Sequence, residues 1–91
     1  MADDILETLQ NWHTCEATAL PGKELATRFN TTRRGVRMVV TRLRQEGYPI
    51  CSSDNGYWYG KDAEDIEKTA RRLESQIHGM SLAIDGLRRG R

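Results

Sequence analysis

The sequence contains little cysteine, with only Cys15 and Cys51 among its 91 residues. These two residues lie far apart, and neither belongs to a Cys-x-x-Cys pair, which argues against a disulfide framework. A zinc site would also have to recruit His13 or His78, and the four residues do not follow a zinc-ligand spacing. We therefore expect no metal and no cofactor, with one thiol partly buried near the core and one in or beside a strand.

The chain also lacks a long apolar run and a secretory signal. No stretch reaches the roughly 18 apolar residues that a membrane span requires. The first 20 residues contain four acids and no lysine or arginine, which is unlike a signal peptide, so we expect a cytoplasmic protein. The sequence shows no nucleophile–base pair, no metal-ligand cluster and no glycine-rich phosphate loop, and therefore predicts neither an enzyme nor a small-molecule site.

Net charge is only +1, but the charge is unevenly distributed. Residues 1–22 contain four acids and no lysine or arginine, whereas residues 23–47 contain seven lysines or arginines against two glutamates. Residues 48–91 are balanced, with seven charges of each sign. A basic segment on an otherwise neutral body is typical of a nucleic-acid-binding element.

Apolar residues recur at helical spacing in three segments of the first half of the chain. The predicted helices are residues 3–13, Gly22–Phe29 and Thr32–Glu46. Their apolar faces are, in order, Ile5, Leu6, Leu9 and Trp12; Leu25, Ala26 and Phe29; and Val36, Val39, Val40 and Leu43. A threonine at the start of the third helix and Gly47 after its end are residues that commonly cap helices.

A small hairpin and a long helix are predicted to follow. Residues 48–52 and 57–59 are strand-like, and the Asp-Asn-Gly turn between them is typical of a hairpin. A last helix runs from about Asp62 to Arg89. The predicted fold is mainly α with a small β-hairpin, namely a winged helix-turn-helix domain over residues 1–60 and a C-terminal helical segment over 61–91.

The segment GKELATRFNTTRRGVRMVVTRLRQEGYPI followed by NGYWY resembles the N-terminal domain of the biotin ligase repressors. This resemblance covers about 55 residues and implies a winged helix-turn-helix fold that binds double-stranded DNA. The residues after it do not resemble a ligase domain, so we expect the enzymatic half of that family to be absent. The C-terminal IDGLRR more weakly resembles small helix-turn-helix proteins of phages and mobile elements.

The third predicted helix carries the residues expected to contact DNA. A major groove admits one helix, whose N-terminal half meets the base edges, and arginine can donate two hydrogen bonds to guanine. Gly35, between these arginines, is expected either to allow close packing on the second helix, which we favour, or to let the backbone approach DNA. The wing is expected to contribute little, because Asp54 would be repelled by phosphate. The predicted DNA-contact residues are Lys23, Thr31, Thr32, Arg33, Arg34, Arg37, Thr41 and Arg44.

The last helix carries apolar residues with alternating steps of four and three, which is the seam of a coiled coil. The predicted seam consists of Ile66, Ala70, Leu73, Ile77, Met80, Ile84 and Leu87. This helix would either fold back over the domain or pair with its copy in a second chain. We favour a homodimer, because it would present two recognition helices to one DNA site.

Two functions are compatible with these features. The first is sequence-specific binding of double-stranded DNA by a dimeric transcriptional regulator. The second is a protein-interaction module of phage or mobile-element replication, segregation or counter-defence, in which the same basic face would bind an acidic protein surface. Salt-sensitive binding to duplex DNA would distinguish the first from the second.

Overall fold

The computed structural model describes residues 1–89 and contains four helices and one hairpin within that range. The last two residues of the predicted 61–91 segment lie outside the described residues. The predicted fold class is confirmed, because a two-stranded antiparallel hairpin follows three helices and precedes a long helix. The elements are α1 (Ala2–Trp12), a 3-10 turn (Glu16–Thr18), α2 (Gly22–Arg28), α3 (Arg33–Gln45), β1 (Ile50–Ser53), β2 (Gly56–Tyr59) and α4 (Ala63–Arg89).

A single apolar core forms where α1, α2 and α3 meet the inner face of the hairpin. The predicted stripe of α3 is buried at Val36, Val40 and Leu43, while Val39 is half-buried beside it. Burying an aliphatic side chain contributes about 1.5–3 kcal/mol. The other buried residues of this cluster are Ile5, Leu9, Leu20, Leu25, Ala26 and Ile50.

The boundaries of α3 are set by local hydrogen bonds. The Thr32 hydroxyl accepts a hydrogen bond of 3.0 Å from the backbone N–H of Gly35, which satisfies a free donor of the first turn. Gly47 has a φ of 101°, a left-handed conformation that favours glycine, and Tyr48 N donates to Leu43 O at 3.0 Å. Asn30 ends the preceding helix with a φ of 53°, as its residue type predicts.

The hairpin is anchored by a contact that the sequence pattern did not indicate. Leu20 lies between the 3-10 turn and α2, and it forms an isolated bridge with Tyr57. Leu20 N donates to Tyr57 O at 2.8 Å, and Tyr57 N donates back to Leu20 O at 2.9 Å. The predicted loop 14–21 therefore supplies a single bridging residue, which joins the segment before α2 to the wing.

The outer face of the hairpin is covered by α4. Cys51 pairs with Trp58 across the two strands, and both side chains are buried on this face. Thr69 of α4 is also buried and accepts a hydrogen bond of 3.3 Å from the backbone N–H of Ser52. Because Trp58 is only 3% exposed, it is a core residue.

Two expectations from the sequence are wrong. Trp12 was expected on the apolar face of α1, but it is 75% exposed. The reason is its position as the last residue of α1, beyond which His13 turns to accept a hydrogen bond from Tyr59 N. For the cysteines, the expected strand position is confirmed by Cys51, which lies in β1 and is buried, but Cys15 is exposed instead of partly buried near the core.

The two thiols have different acidities. Burial raises the pKa of Cys51 above its ordinary value, although a hydrogen bond with Thr69 partly opposes this effect. A hydrogen bond with Thr18 lowers the pKa of Cys15. Within residues 1–89, no helix is long and apolar enough to cross a membrane, and no three His, Cys, Asp or Glu side chains are grouped so that they could hold a metal ion.

Gly56 is expected to be the glycine least tolerant of substitution. Its φ is 127°, and an added Cβ would lie 2.5 Å from the carbonyl carbon of Leu20 and 2.7 Å from Pro21 N. We expect Gly56→Ala to lower the free energy of unfolding by about 2–4 kcal/mol, because strain and overpacking add. The measurement is urea unfolding followed by circular dichroism.

Gly79→Ala is the matched control. Gly79 lies in an exposed part of α4 with nothing within 4 Å of an added Cβ, so the substitution should raise stability by roughly 0.5–1 kcal/mol. Equal effects of the two substitutions would contradict the described contact between the hairpin and Leu20.

Candidate nucleic-acid interface

The exposed side of α3 forms one wall of a groove of about 620 Å³. The other walls are the start of α2, the hairpin and the middle of α4. The groove-lining residues of α3 lie about one turn apart along the helix, on the side next to the apolar stripe, and Val40 of that stripe also lines the groove. The predicted contact residues that line this basic groove are Lys23, Arg33, Arg37, Thr41 and Arg44.

Three predicted contact residues lie outside the groove. Arg34 is exposed on the adjoining surface of α3, one residue around the helix from Arg33. Thr31 and Thr32 form the turn that precedes α3, where Thr32 caps the helix. The Thr32 oxygen accepts from Gly35 N, so its own O–H stays available to donate to a phosphate oxygen.

Gly35 lies in the first turn of α3, where it packs against the two preceding threonines and does not line the groove. A side chain at this position would collide with the hydroxyl of Thr31 and touch that of Thr32. Of the two explanations considered for Gly35, close packing agrees with this contact, although the packing partner is the threonine turn and not α2. The turn therefore places Arg33 and Arg34 at a fixed position relative to α2.

Arg44 has partners within the protein. Its Nε donates to the Ile50 carbonyl at 2.8 Å, and its Nη2 donates to the Ser52 hydroxyl at 3.0 Å. Burial lowers the pKa of Arg44, but a guanidinium stays charged at neutral pH. Arg44 therefore ties α3 to β1, in addition to the contact with the DNA backbone that the sequence predicts for it.

The sequence pattern did not indicate one of the charged residues that line the groove. Arg72 of α4 lines it, and its Nη2 lies 3.1 Å from Oδ1 of Asp54 at the hairpin tip. The Asp54 side chain is 99% exposed and that of Arg72 is 43% exposed, so water screens this pair. No local pattern indicated Arg72, because its approach to the groove depends on how α4 crosses the hairpin.

The groove is strongly positive. Its lining includes one lysine and four arginines against the single carboxylate of Asp54, which gives a formal charge of +4. Among residues 1–89, neither Arg33 nor Arg37 has a carboxylate within ion-pair distance. Low-dielectric walls and one sign of charge concentrate the field and attract a polyanion.

Residues 3–58, more than half of the chain, match a protein family described as an HTH domain. The chain belongs to this helix-turn-helix family. The match covers α1, α2, α3 and nearly all of the hairpin, and it supports DNA binding with a regulatory role. The match does not assign the chain to the biotin ligase repressors in particular. No curated protein and no solved structure was found to match the chain.

Arg44→Met is expected to lower the free energy of unfolding by about 2–3 kcal/mol, because it removes two charge-assisted hydrogen bonds and leaves the Ile50 carbonyl unpaired. Urea unfolding measures the change. Arg42→Met is the control, since Arg42 forms only an exposed pair with Glu46 at 3.4 Å. This control should change stability by less than about 0.5 kcal/mol. A similar loss in both variants would contradict the structural role of Arg44.

Proposed function

We propose that this helix-turn-helix protein is a dimeric transcriptional regulator that binds a specific double-stranded DNA sequence. In this proposal, α3 is the recognition helix and enters the major groove with its N-terminal half. The observation that carries the proposal is the position of Arg33 and Arg37. Both are exposed on one line of α3, among residues that give the groove its positive charge.

The residues of the basic groove and its rim divide into two kinds of contact. Arg33 and Arg37 lie in the first turn and a half of α3, where side chains reach base edges, and Arg34 is assigned to the same set from the adjoining surface. Lys23, Thr32 and Thr41 are assigned to the phosphate backbone, where hydroxyl and ammonium groups bind without reading sequence. Such phosphate contacts fix the register in which the arginines meet the bases.

Arg72 is a further phosphate contact in this proposal. Its present partner, Asp54, is fully exposed at the hairpin tip and would be repelled by DNA. A phosphate that approaches the groove offers Arg72 another anionic partner for charge-assisted hydrogen bonds, which can replace this carboxylate. Asp54 therefore competes with DNA for Arg72, which agrees with the small contribution expected from the wing.

Two copies are proposed to bind together. A helix-turn-helix domain alone covers a few base pairs, and a two-fold pair of domains doubles the site. The exposed apolar residues of α4 are the proposed contact between the copies. Ile77, Met80, Ile84 and Leu87 are 66%, 66%, 47% and 82% exposed, and they follow the spacing of a coiled-coil seam.

The arginine assignment is tested with Arg33→Ala and Arg37→Ala. We expect each substitution to weaken binding to a selected duplex about tenfold, because a bidentate contact to a base contributes about 1–3 kcal/mol. The measurement is fluorescence anisotropy at several salt concentrations, with the duplex obtained by selection from a random library. Each arginine that instead contacts phosphate should reduce the salt slope by about 0.9.

Arg42→Ala is the matched control for these two variants. Arg42 lies on the same helix but outside the basic groove, where it pairs with Glu46. Its loss should leave affinity within about twofold, since an exposed ion pair contributes little. If Arg33→Ala and Arg37→Ala leave affinity and salt slope unchanged, the reading face is wrongly assigned. If the protein shows no salt-sensitive binding to any duplex, an acidic protein partner becomes the better explanation for the basic groove.

The role of Arg72 is tested by two substitutions that are expected to have opposite effects on DNA affinity. Arg72→Ala should weaken DNA binding and reduce the salt slope by about 0.9, whereas Asp54→Asn should strengthen binding because it removes the competing charge. Arg71→Ala is the control, since Arg71 pairs with Glu67 at 3.4 Å and does not line the groove. If the pair only positions the wing, both substitutions at the pair will weaken binding.

A further inference from the structure

The predicted seam of α4 is divided into two halves by its contacts with the hairpin. In the first half, Ile66 lies against Gly60, Thr69 is buried on the hairpin, and Leu73 lines the basic groove. In the second half, residues 74–89, the apolar side chains extend beyond the hairpin and are exposed. We call residues 74–89 the free segment of α4.

This division disfavours a parallel pair of α4 helices. In a parallel coiled coil, equivalent residues of both chains face each other from one end of the seam to the other. The first half of the seam would then also lie against the partner helix, but Thr69 beside it is buried on the chain's own hairpin and Leu73 is half-buried in the groove wall, while Ile66 is 39% exposed beside Gly60. Two helices in contact at Ile77 would have to be separated by two hairpins only a few residues earlier.

An antiparallel pair of free segments avoids this conflict. We propose that the protein dimerises through residues 74–89, with the two α4 helices antiparallel and centred near Leu82. In this register Ile77 of one copy lies beside Leu87 of the other, and Met80 lies beside Ile84, so that all four exposed seam residues find apolar partners. Each hairpin then lies beyond the C-terminal end of the other chain's helix.

The residues that flank the seam agree with the same register. In an antiparallel pair, equivalent flanking positions on one side of the seam face each other across the two-fold axis. Glu74 of one copy then lies near Arg88 of the other. Because the pair is repeated by the two-fold axis, two equivalent ion pairs between opposite charges are formed. Ser81 faces its own copy near the axis, and so does Ala83 on the other flank, where small side chains allow the helices to approach. In a parallel pair, Glu74 would face Thr69 and Arg88 would face Ala83.

This inference rests on the dimer in the proposed function, so the first measurement decides whether a dimer exists. Sedimentation equilibrium of the full chain should give twice the chain mass of 10.4 kDa. Ile84→Glu should give a monomer, because it places a charge in the seam. Leu82→Glu is the matched control: Leu82 is 58% exposed but lies off the seam, so this variant should stay dimeric. A monomeric parent protein would overturn both proposals.

The second measurement decides the orientation. A spin label on Lys68→Cys, in a Cys15→Ser background that leaves only the buried Cys51, gives the distance between equivalent sites. The antiparallel register separates them by 28 residues, or about 42 Å along the helix axis at about 1.5 Å per residue. A parallel pair would place them within two helix diameters, about 20–24 Å. The longer distance supports the antiparallel proposal and the shorter one overturns it. Either distance agrees with a dimer.

Cross-linking gives an independent result. Ser81→Cys in the same background should form a disulfide-linked dimer on mild oxidation, because the two sites face each other near the axis. Leu87→Cys should not, since residue 87 lies beside residue 77 of the other copy. A parallel pair would give the reverse result, with cross-linking at Leu87→Cys and none at Ser81→Cys.

Discussion

The rotation of α3 about its own axis is fixed by the burial of Val36, Val40 and Leu43. These side chains pack on α1, α2 and the inner face of the hairpin, and a helix with one buried stripe has one orientation. The exposed side of the helix next to this stripe, with Arg33 and Arg37, is consequently directed into the groove and away from the core. The charge of the basic groove therefore depends on an apolar contact that involves none of the charged residues.

Much of this arrangement could be predicted from the sequence because it depends on local periodicity. The buried stripe, the threonine cap and the left-handed Gly47 are all decided within a few residues, and each agrees with the structure. Arg44 and Leu20 could not be predicted in the same way. Their partners, Ile50 and Tyr57, lie on the hairpin, so their roles depend on where the hairpin packs and not on their neighbours in the chain.

The exposure of the α4 residues also could not be predicted from the local sequence pattern. Its seven seam positions form one continuous pattern in the sequence, and no local feature separates Leu73 from Ile77. The difference arises from the hairpin and the groove beside it, where Thr69 is buried and Leu73 is half-buried, whereas Ile77 is 66% exposed. Trp12 is a similar case at the end of α1, because periodicity gives the angular position of a side chain but not the distance to which the core extends along the helix.

Because α4 is one continuous helix, a change in its length rotates the residues beyond the change as well as moving them along the helix axis. Each residue added to this helix turns everything beyond it by about 100° and moves it by about 1.5 Å. An insertion of seven residues after Leu73 would restore the facing of the apolar residues to within about 20°, whereas an insertion of two would turn them to the opposite side. Evolution could therefore lengthen this protein in whole heptads while it preserves both the seam and the domain, and insertions of other lengths would uncouple them.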